Sequence, residues 1–294
     1  MTEQLSLNHG QKLIKGLTMT KIIAEIGINH NGIFQSAIDH IESAVEAGAD
    51  YVKFHLAYSK NMVNLQEKRE SWNDKHDKDI EPIDKFVERM EFTISQYAEL
   101  KSITESLGCK FMVSVYDKEA AKDALSLGIN EIKLASCDFV KEELINYIYP
   151  NIDHLYLATG MVSEDELEKA KTYIQSEKTT VMHCISLYPT PMKLANLNFI
   201  ESLQKYGWQI GYSDHSKGIA LCVASLVHNP TIIEKHFMIN ESHNCPDMSV
   251  SCPPRELNEL CTIAHNYKDI FGDGIRNISE EEFKNRNKFR DRWK

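Results

Sequence analysis

Two periods alternate along this chain. Short, largely apolar runs that break into polar residues at their C-terminal ends have the pattern of buried parallel strands. They lie at 21–28, 51–56, 110–115, 131–135, 154–158, 180–184, 208–213 and 231–237. Between them apolar residues recur at helical spacing, first Ile38, Ile41, Ala44 and Val45 before Gly48, then over 93–107, 118–127, 141–148, 163–175, 196–205, 218–227 and 254–270. Strands alternating with helices imply a parallel sheet with right-handed crossovers, and eight such units in roughly 250 residues predict an α/β fold of the closed (β/α)8 TIM-barrel type. An open doubly wound sheet would want a glycine-rich first turn, and Gly27-Ile-Asn-His-Asn-Gly32 is not one.

The pattern sets domain bounds: an N-terminal extension over 1–20, a barrel over 21–275, and a charged tail over 276–294, read as a helix or arm. One interruption stands out. Residues 59–90 are charged, with little apolar periodicity before Phe86, and a segment of that length inside a compact domain reads as a functional lid or a mobile excursion.

Composition narrows the function class. With 42% hydrophobic residues, 294 residues can bury a sizeable core. A net charge of −10 argues against nucleic acid as a partner, but not against a phosphorylated small molecule, which needs only a local cluster of Lys and Ser. No apolar run reaches membrane-spanning length, and residues 1–20 lack a signal-peptide pattern, so a cytoplasmic location is expected. The seven cysteines are scattered without a C-x-x-C pair and read as reduced thiols.

In a barrel of this kind the chemistry sits at the C-terminal strand ends. Two consecutive strands each deliver a histidine there, His215 and His236, with Asp214, Glu234 and Asp247 near in sequence; the set could hold a divalent metal or serve catalysis, or be ordinary loop residues. Other strand ends offer Glu25 and Asn29, Lys53 and His55, Ser114 and Asp117, Lys133 and Ser136, Thr159, His183 and Ser186, Ser213, and Lys235. Lysines within strands need an anion, because a buried ammonium must be paired or lose its charge. Lys53 and Lys133, with the hydroxyls of Ser136 and Ser213, suit a bound phosphate or carboxylate; the alternative is pairing with Glu25 or Glu234. Glu25, in an otherwise apolar strand, is the candidate general base, an idea that pairing with a lysine would weaken. His183 reads as a core histidine, and after it Tyr188-Pro-Thr-Pro191 forms a rigid turn from which Tyr188 faces a ligand.

At these residues the chain resembles the sialic acid synthase family, the N-acetylneuraminate synthases and their legionaminic and pseudaminic relatives. The matching stretches are Ala24-Glu-Ile-Gly-Ile-Asn-His-Asn-Gly32, Ala47-Gly-Ala-Asp-Tyr-Val-Lys-Phe54, Glu131-Ile-Lys-Leu-Ala-Ser136, Ala158-Thr-Gly-Met161, His183-Cys with Tyr188-Pro189, Gly211-Tyr-Ser-Asp-His215 and Glu234-Lys-His-Phe237. The resemblance implies condensation of phosphoenolpyruvate with an aldose or amino sugar to a 2-keto-3-deoxy sugar acid, releasing phosphate. It puts His215 and His236 on the metal ligands, usually of manganese, and Lys53, Lys133, Ser136, Ser213 and Ser114 on the phosphoenolpyruvate site. Glu25 falls on the acid/base position and Asp247 on a substrate-side carboxylate, while Ser186 and Tyr188 join the candidate substrate contacts. A homodimer is implied by resemblance alone.

The chain also departs from the family. His55 stands where a glutamine is usual, Ala158 replaces a serine, and Met248 replaces a histidine after Asp247. The antifreeze-like domain that usually follows the barrel would begin about where this chain ends, at Lys294. Most of these departures lie on the side expected to hold the sugar, so an unusual acceptor is expected. The rival readings are a metal-dependent barrel lyase or aldolase that does not use phosphoenolpyruvate, and a barrel that binds its ligand without turnover.

Overall fold

A computed structural model describes residues 19–61, 83–242, 244–290 and 292. Eight parallel strands close into a barrel in sequence order: β1 (Lys21–Gly27), β2 (Tyr51–Leu56), β3 (Lys110–Val115), β4 (Glu131–Leu134), β5 (His154–Ala158), β6 (Thr179–Cys184), β7 (Gln209–Asp214) and β8 (Ile232–His236). The ring is completed by β1 pairing with β8, where Lys21 meets Ile232 and Glu25 meets His236. Around it run α1 (Phe34–Glu46), α2 (Ile83–Met90), α3 (Ile94–Ser106), α4 (Lys118–Ser126), α5 (Glu142–Ile148), α6 (Glu164–Ala170), α7 (Asn198–Ser202), α8 (Ala220–Ser225), α9 (Pro254–His265) and α10 (Tyr267–Phe271). A last helix, α11 (Glu280–Arg290), buries none of its side chains.

Side-chain parity explains where the site forms. Successive strand residues face opposite sides, so positions two apart share a face. Ile23, Tyr51, Met112 and Ile232 belong to one buried cluster inside the barrel. Two residues further along each strand stand Glu25, Lys53, Ser114 and Glu234. An apolar plug therefore fills the lower barrel and a charged layer lies on top of it. The plug is closed from below by Glu131, which accepts hydrogen bonds from the hydroxyls of Tyr51 and Tyr156 at 2.9 Å each and pairs with Lys110. The opposite parity, with Ile22, Ala24, Val52, Phe54, Val113, Ile132, Leu155 and Ile233, packs outward against helices such as α1 through Ala37, Ile41 and Ala44. Each fully buried aliphatic side chain in this layer contributes about 1.5–3 kcal/mol relative to exposure.

Helix starts are fixed locally. Thr93 and Ser163 each build a capping box with the residue three positions on, Gln96 and Glu166, and the Asp117 carboxylate accepts the Ala120 N–H at the start of α4. The strands match the apolar runs, but several helices are shorter than their periodicity predicts. The span 163–175 yields α6 alone, while 196–205 and 218–227 each pass from a short α-helix into a 3-10 turn. The span 254–270 breaks at Asn266 into α9 and α10. Of the long charged segment, 62–82 lies outside the described residues, and with it the expected lid; the same holds for 1–18 of the N-terminal extension.

Candidate active site

Of the residues that the resemblance and the candidate substrate contacts place in the site, all but Glu25 line one cavity of about 440 Å³ at the C-terminal end of the barrel: Lys53, Ser114, Lys133, Ser136, Ser186, Tyr188, Ser213, His215, His236 and Asp247. His55, Tyr116, Cys137, Met161, Cys184 and Glu234 share its wall.

Its charged centre is a buried alternation of two lysines and two carboxylates. The Lys53 ammonium contacts Glu25, lies 3.5 Å from Glu234 and donates to the Ser114 hydroxyl at 2.7 Å. Lys133 donates to Glu234 at 3.3 Å, and the Ser213 hydroxyl donates to the same carboxylate at 2.9 Å. Burial alone would push Glu234 up, but Lys133 and then Lys53 outweigh it and hold the carboxyl below the usual carboxylate range. Both alternatives open for the lysines thus meet in one place: they pair with Glu25 and Glu234, and they also border the cavity. Glu25 is paired with a lysine, 1% exposed and recessed behind the lining, and its other oxygen lies 3.0 Å from His55 Nε2.

The two strand-end histidines stand side by side, ring centroids 5.3 Å apart. His215 Nδ1 donates to the Ile185 carbonyl at 2.9 Å, which in the neutral ring leaves the lone pair on Nε2, where the Tyr188 hydroxyl donates at 3.0 Å. Tyr188 also stacks on the His215 ring at 4.1 Å, from a turn whose Tyr188–Pro189 bond is cis. His236 is held well below the ordinary histidine range by burial and then by His215, so its ring is neutral, with Nδ1 3.6 Å from an Asp247 carboxylate oxygen. Burial would lower His215, but Cys184 outweighs it and holds the ring above the ordinary histidine range. With His215 Nδ1 fixed on a backbone carbonyl, the two imidazoles fit a divalent cation as donors once His215 gives up its second proton. Among the described residues no group of three His, Cys, Asp or Glu side chains forms a ready cage, so such an ion would take its remaining ligands from water or substrate.

Asp247 is carried in by a buried clamp. The Asn29 side chain accepts the Asp247 N–H at 3.0 Å and donates to the Phe237 carbonyl at 2.8 Å and the Ser251 hydroxyl at 2.9 Å. On the opposite wall, Gly160 brings its backbone against two hydroxyls. A Cβ there would stand 2.1 Å from Ser186 Oγ and 2.7 Å from Ser136 Oγ, while its N–H donates to Ser136 at 3.0 Å.

Three sequence expectations need correcting. Asp214 is not a ligand candidate: its parity sends it outward, where it pairs with Lys235 at 2.6 Å and accepts from Tyr212 and Ser216. Lys235 turns away from the cavity for the same reason and is fully buried. Asp117 is occupied as the helix cap described above. His183 is the expected core histidine, its Nε2 donating to the Ala195 carbonyl at 2.7 Å. Tyr116 escaped the sequence reading because it lies one residue beyond β3, and only its aromatic character marks it.

A model of the NeuB family matches residues 40–276. N,N'-diacetyllegionaminic acid synthase of Campylobacter jejuni is 31% identical over 91% of this chain and 82% of its own length. The protein of the same name from Legionella pneumophila is 27% identical over 91% and 78%. Among solved structures, N-acetylneuraminic acid synthetase of Leptospira borgpetersenii superposes with a TM-score of 0.77 at 28% identity, covering 93% of each chain. With its closed barrel and with the family model spanning most of its length, this chain belongs to the NeuB family.

Proposed function

We propose that the protein joins phosphoenolpyruvate to the aldehyde of an aldose or amino sugar, giving a 2-keto-3-deoxy sugar acid and phosphate. The observation that carries this reading is the shared cavity of Lys53 and Lys133, three serine hydroxyls (Ser114, Ser136, Ser213) and the His215–His236 pair. A phosphate and a carboxylate on one small substrate call for two cations and several donors, and the synthase names of the relatives agree with the outcome.

In this mechanism C3 of the enol attacks the aldehyde carbon and forms the carbon–carbon bond. The aldehyde oxygen becomes an alkoxide and takes up a proton. Water adds to the cationic C2, and the tetrahedral adduct breaks its C2–O bond to phosphate as the new C2 hydroxyl becomes the keto group and hands its proton to the departing phosphate. Lys53 and Lys133 offset the phosphate charge throughout, each trading part of its contact with Glu234 or Glu25 for the substrate. Ser136 and Ser186 orient the substrate from the Gly160 side, and Asp247 and Tyr188 border the acceptor. Glu25 receives the proton from water and returns it to the alkoxide. His215 and His236 would hold a divalent cation, manganese in this reading, whose chemistry is polarisation of the aldehyde oxygen. We place the reaction in the cytoplasm, in keeping with seven free cysteines.

The test is phosphate release from phosphoenolpyruvate by metal-stripped protein, with and without manganese. The acceptor panel holds N-acetylmannosamine, other aldoses and amino sugars, and their phosphates. Manganese-dependent release with one acceptor is expected. Silence across the panel, with phosphoenolpyruvate giving no protection against thermal unfolding, would overturn the reading.

A further inference from the structure

Glu25, the acid/base group of the mechanism above, is sealed off from the reaction space. It is 1% exposed and absent from the cavity wall, and both its oxygens are engaged, one by the Lys53 ammonium and one at 3.0 Å by His55 Nε2. A carboxylate held this way cannot meet a water or a sugar hydroxyl directly. Two of its neighbours, Lys53 and His55, reach the cavity and offer its proton a route. The glutamine usual at position 55 in the resembled family closes the second route, which makes that route a feature of this chain.

Lys53 is unsuited to the task. Its ammonium also faces Glu234 at 3.5 Å and donates to Ser114. Burial would lower its pKa, but Glu234 and then Glu25 outweigh burial and hold it above the ordinary lysine range, so it keeps its proton and offers no lone pair. His55 differs on each count. Its side chain is 26% exposed at the cavity, and an imidazole can accept a proton on one nitrogen while releasing another from the opposite one. Tyr116 flanks the ring edge-on, with centroids 5.6 Å apart.

The backbone makes room for this contact. β1 shifts register between Glu25 and Gly27, and Gly27 adopts a left-handed φ of +54°. A Cβ at Gly27 would stand 2.7 Å from Glu25 Oε1 and 3.4 Å from His55 Nε2, so a larger residue would wedge the pair apart.

We propose that His55 is the relay through which Glu25 exchanges its proton with the cavity. The relay rests on the functional reading above. As water adds to C2, its O–H bond breaks and its proton passes to Nδ1 of His55, while the proton on Nε2 passes to Oε1 of Glu25. The ring stays neutral with its tautomer exchanged, and the carboxylate becomes a carboxylic acid. The same proton returns from Glu25 through the ring to the alkoxide left by the aldehyde, so no net charge accumulates. The titratable and charged groups around His55 are Glu25 from β1 at its Nε2, Tyr116 just beyond β3, Lys53 on its own strand, and His30 and His236.

The test compares the wild type with His55→Gln and His55→Ala, using phosphoenolpyruvate, manganese and whichever acceptor of the panel releases phosphate. Glutamine keeps an N–H for Glu25 but cannot relay a proton. We expect His55→Gln to lose about a hundredfold in kcat, at the low end of general acid–base contributions, with KM for phosphoenolpyruvate little changed. It should also lose one limb of the pH–rate profile. Imidazole in the buffer should restore part of the rate to His55→Ala; if that variant does not fold, the rate and pH profile of His55→Gln decide alone. A His55→Gln enzyme with wild-type rate and profile would overturn the relay while leaving the functional reading intact. A wild type silent with every acceptor would overturn both.

Discussion

His30 follows β1 in a fully enclosed site, its ring stacked on Phe92 at 4.4 Å and its Nδ1 accepting the Gly32 N–H at 3.0 Å. Burial first, then the fields of His40 and His55, hold its pKa at about 3. The unfolded chain, with an ordinary value of 6.5, therefore binds the proton that the folded protein refuses anywhere between pH 6.5 and 3. Its contribution to stability is whole above pH 6.5 and falls as pH drops through that window, at up to about 1.4 kcal/mol per pH unit for one proton. Urea unfolding at pH 7 and pH 5 should show the wild type losing stability more steeply than His30→Gln; parallel losses would remove His30 as the cause. At this scale the sequence was a good guide to which residues gather and a poor one to how they pair. The lysines, serines and strand-end histidines were legible because a polar group in an apolar strand has few other reasons to be there. Asp214 and Lys235 were misjudged because nearness in sequence to a histidine says nothing of parity, and a neighbour one residue away faces the other side of the sheet.

That parity gives the strands a device of their own. Asp214 and Lys235 are register partners on β7 and β8, each one residue before a candidate metal ligand, and their fully buried pair joins the two strand ends. Removing one member strands a charge, so Asp214→Asn or Lys235→Met should cost about 3–5 kcal/mol. Replacing both, as Asp214→Leu with Lys235→Met, should recover most of that stability, because well-packed apolar pairs often match buried ion pairs. The spacing of His215 and His236 would still lose its brace, and manganese affinity by calorimetry should fall about tenfold, the low end for supports of metal ligands. A stable double variant that binds manganese like the wild type would show the pair to be structural only. Strands were the most legible elements of the chain, since burial on both faces writes them as continuous apolar runs. Helices blurred at their C-terminal ends, where Leu203–Tyr206 and Leu226–His228 tighten into 3-10 turns without losing their apolar spacing.

Across the whole molecule, a chain of net charge −10 is expected to bind an anion in a pocket whose own lysines are already neutralised. Lys53 and Lys133 are balanced by Glu25 and Glu234, so an arriving phosphate would compete with a carboxylate already in place. Lys133→Met takes one cation from the cluster and leaves Glu234 with Lys53 and Ser213. KM for phosphoenolpyruvate should rise at least about tenfold, as expected for loss of a charge-assisted contact of roughly 1.5–3 kcal/mol, while KM for the acceptor stays near its wild-type value. The same substitution should show in stability without any turnover. A ligand present at 100 times its Kd stabilises the folded state by about 2.7 kcal/mol, so phosphoenolpyruvate at a concentration that saturates the wild type should raise its Tm clearly and that of Lys133→Met much less. Equal thermal shifts in the two proteins would place the phosphoenolpyruvate anion elsewhere, even if the wild type turns over.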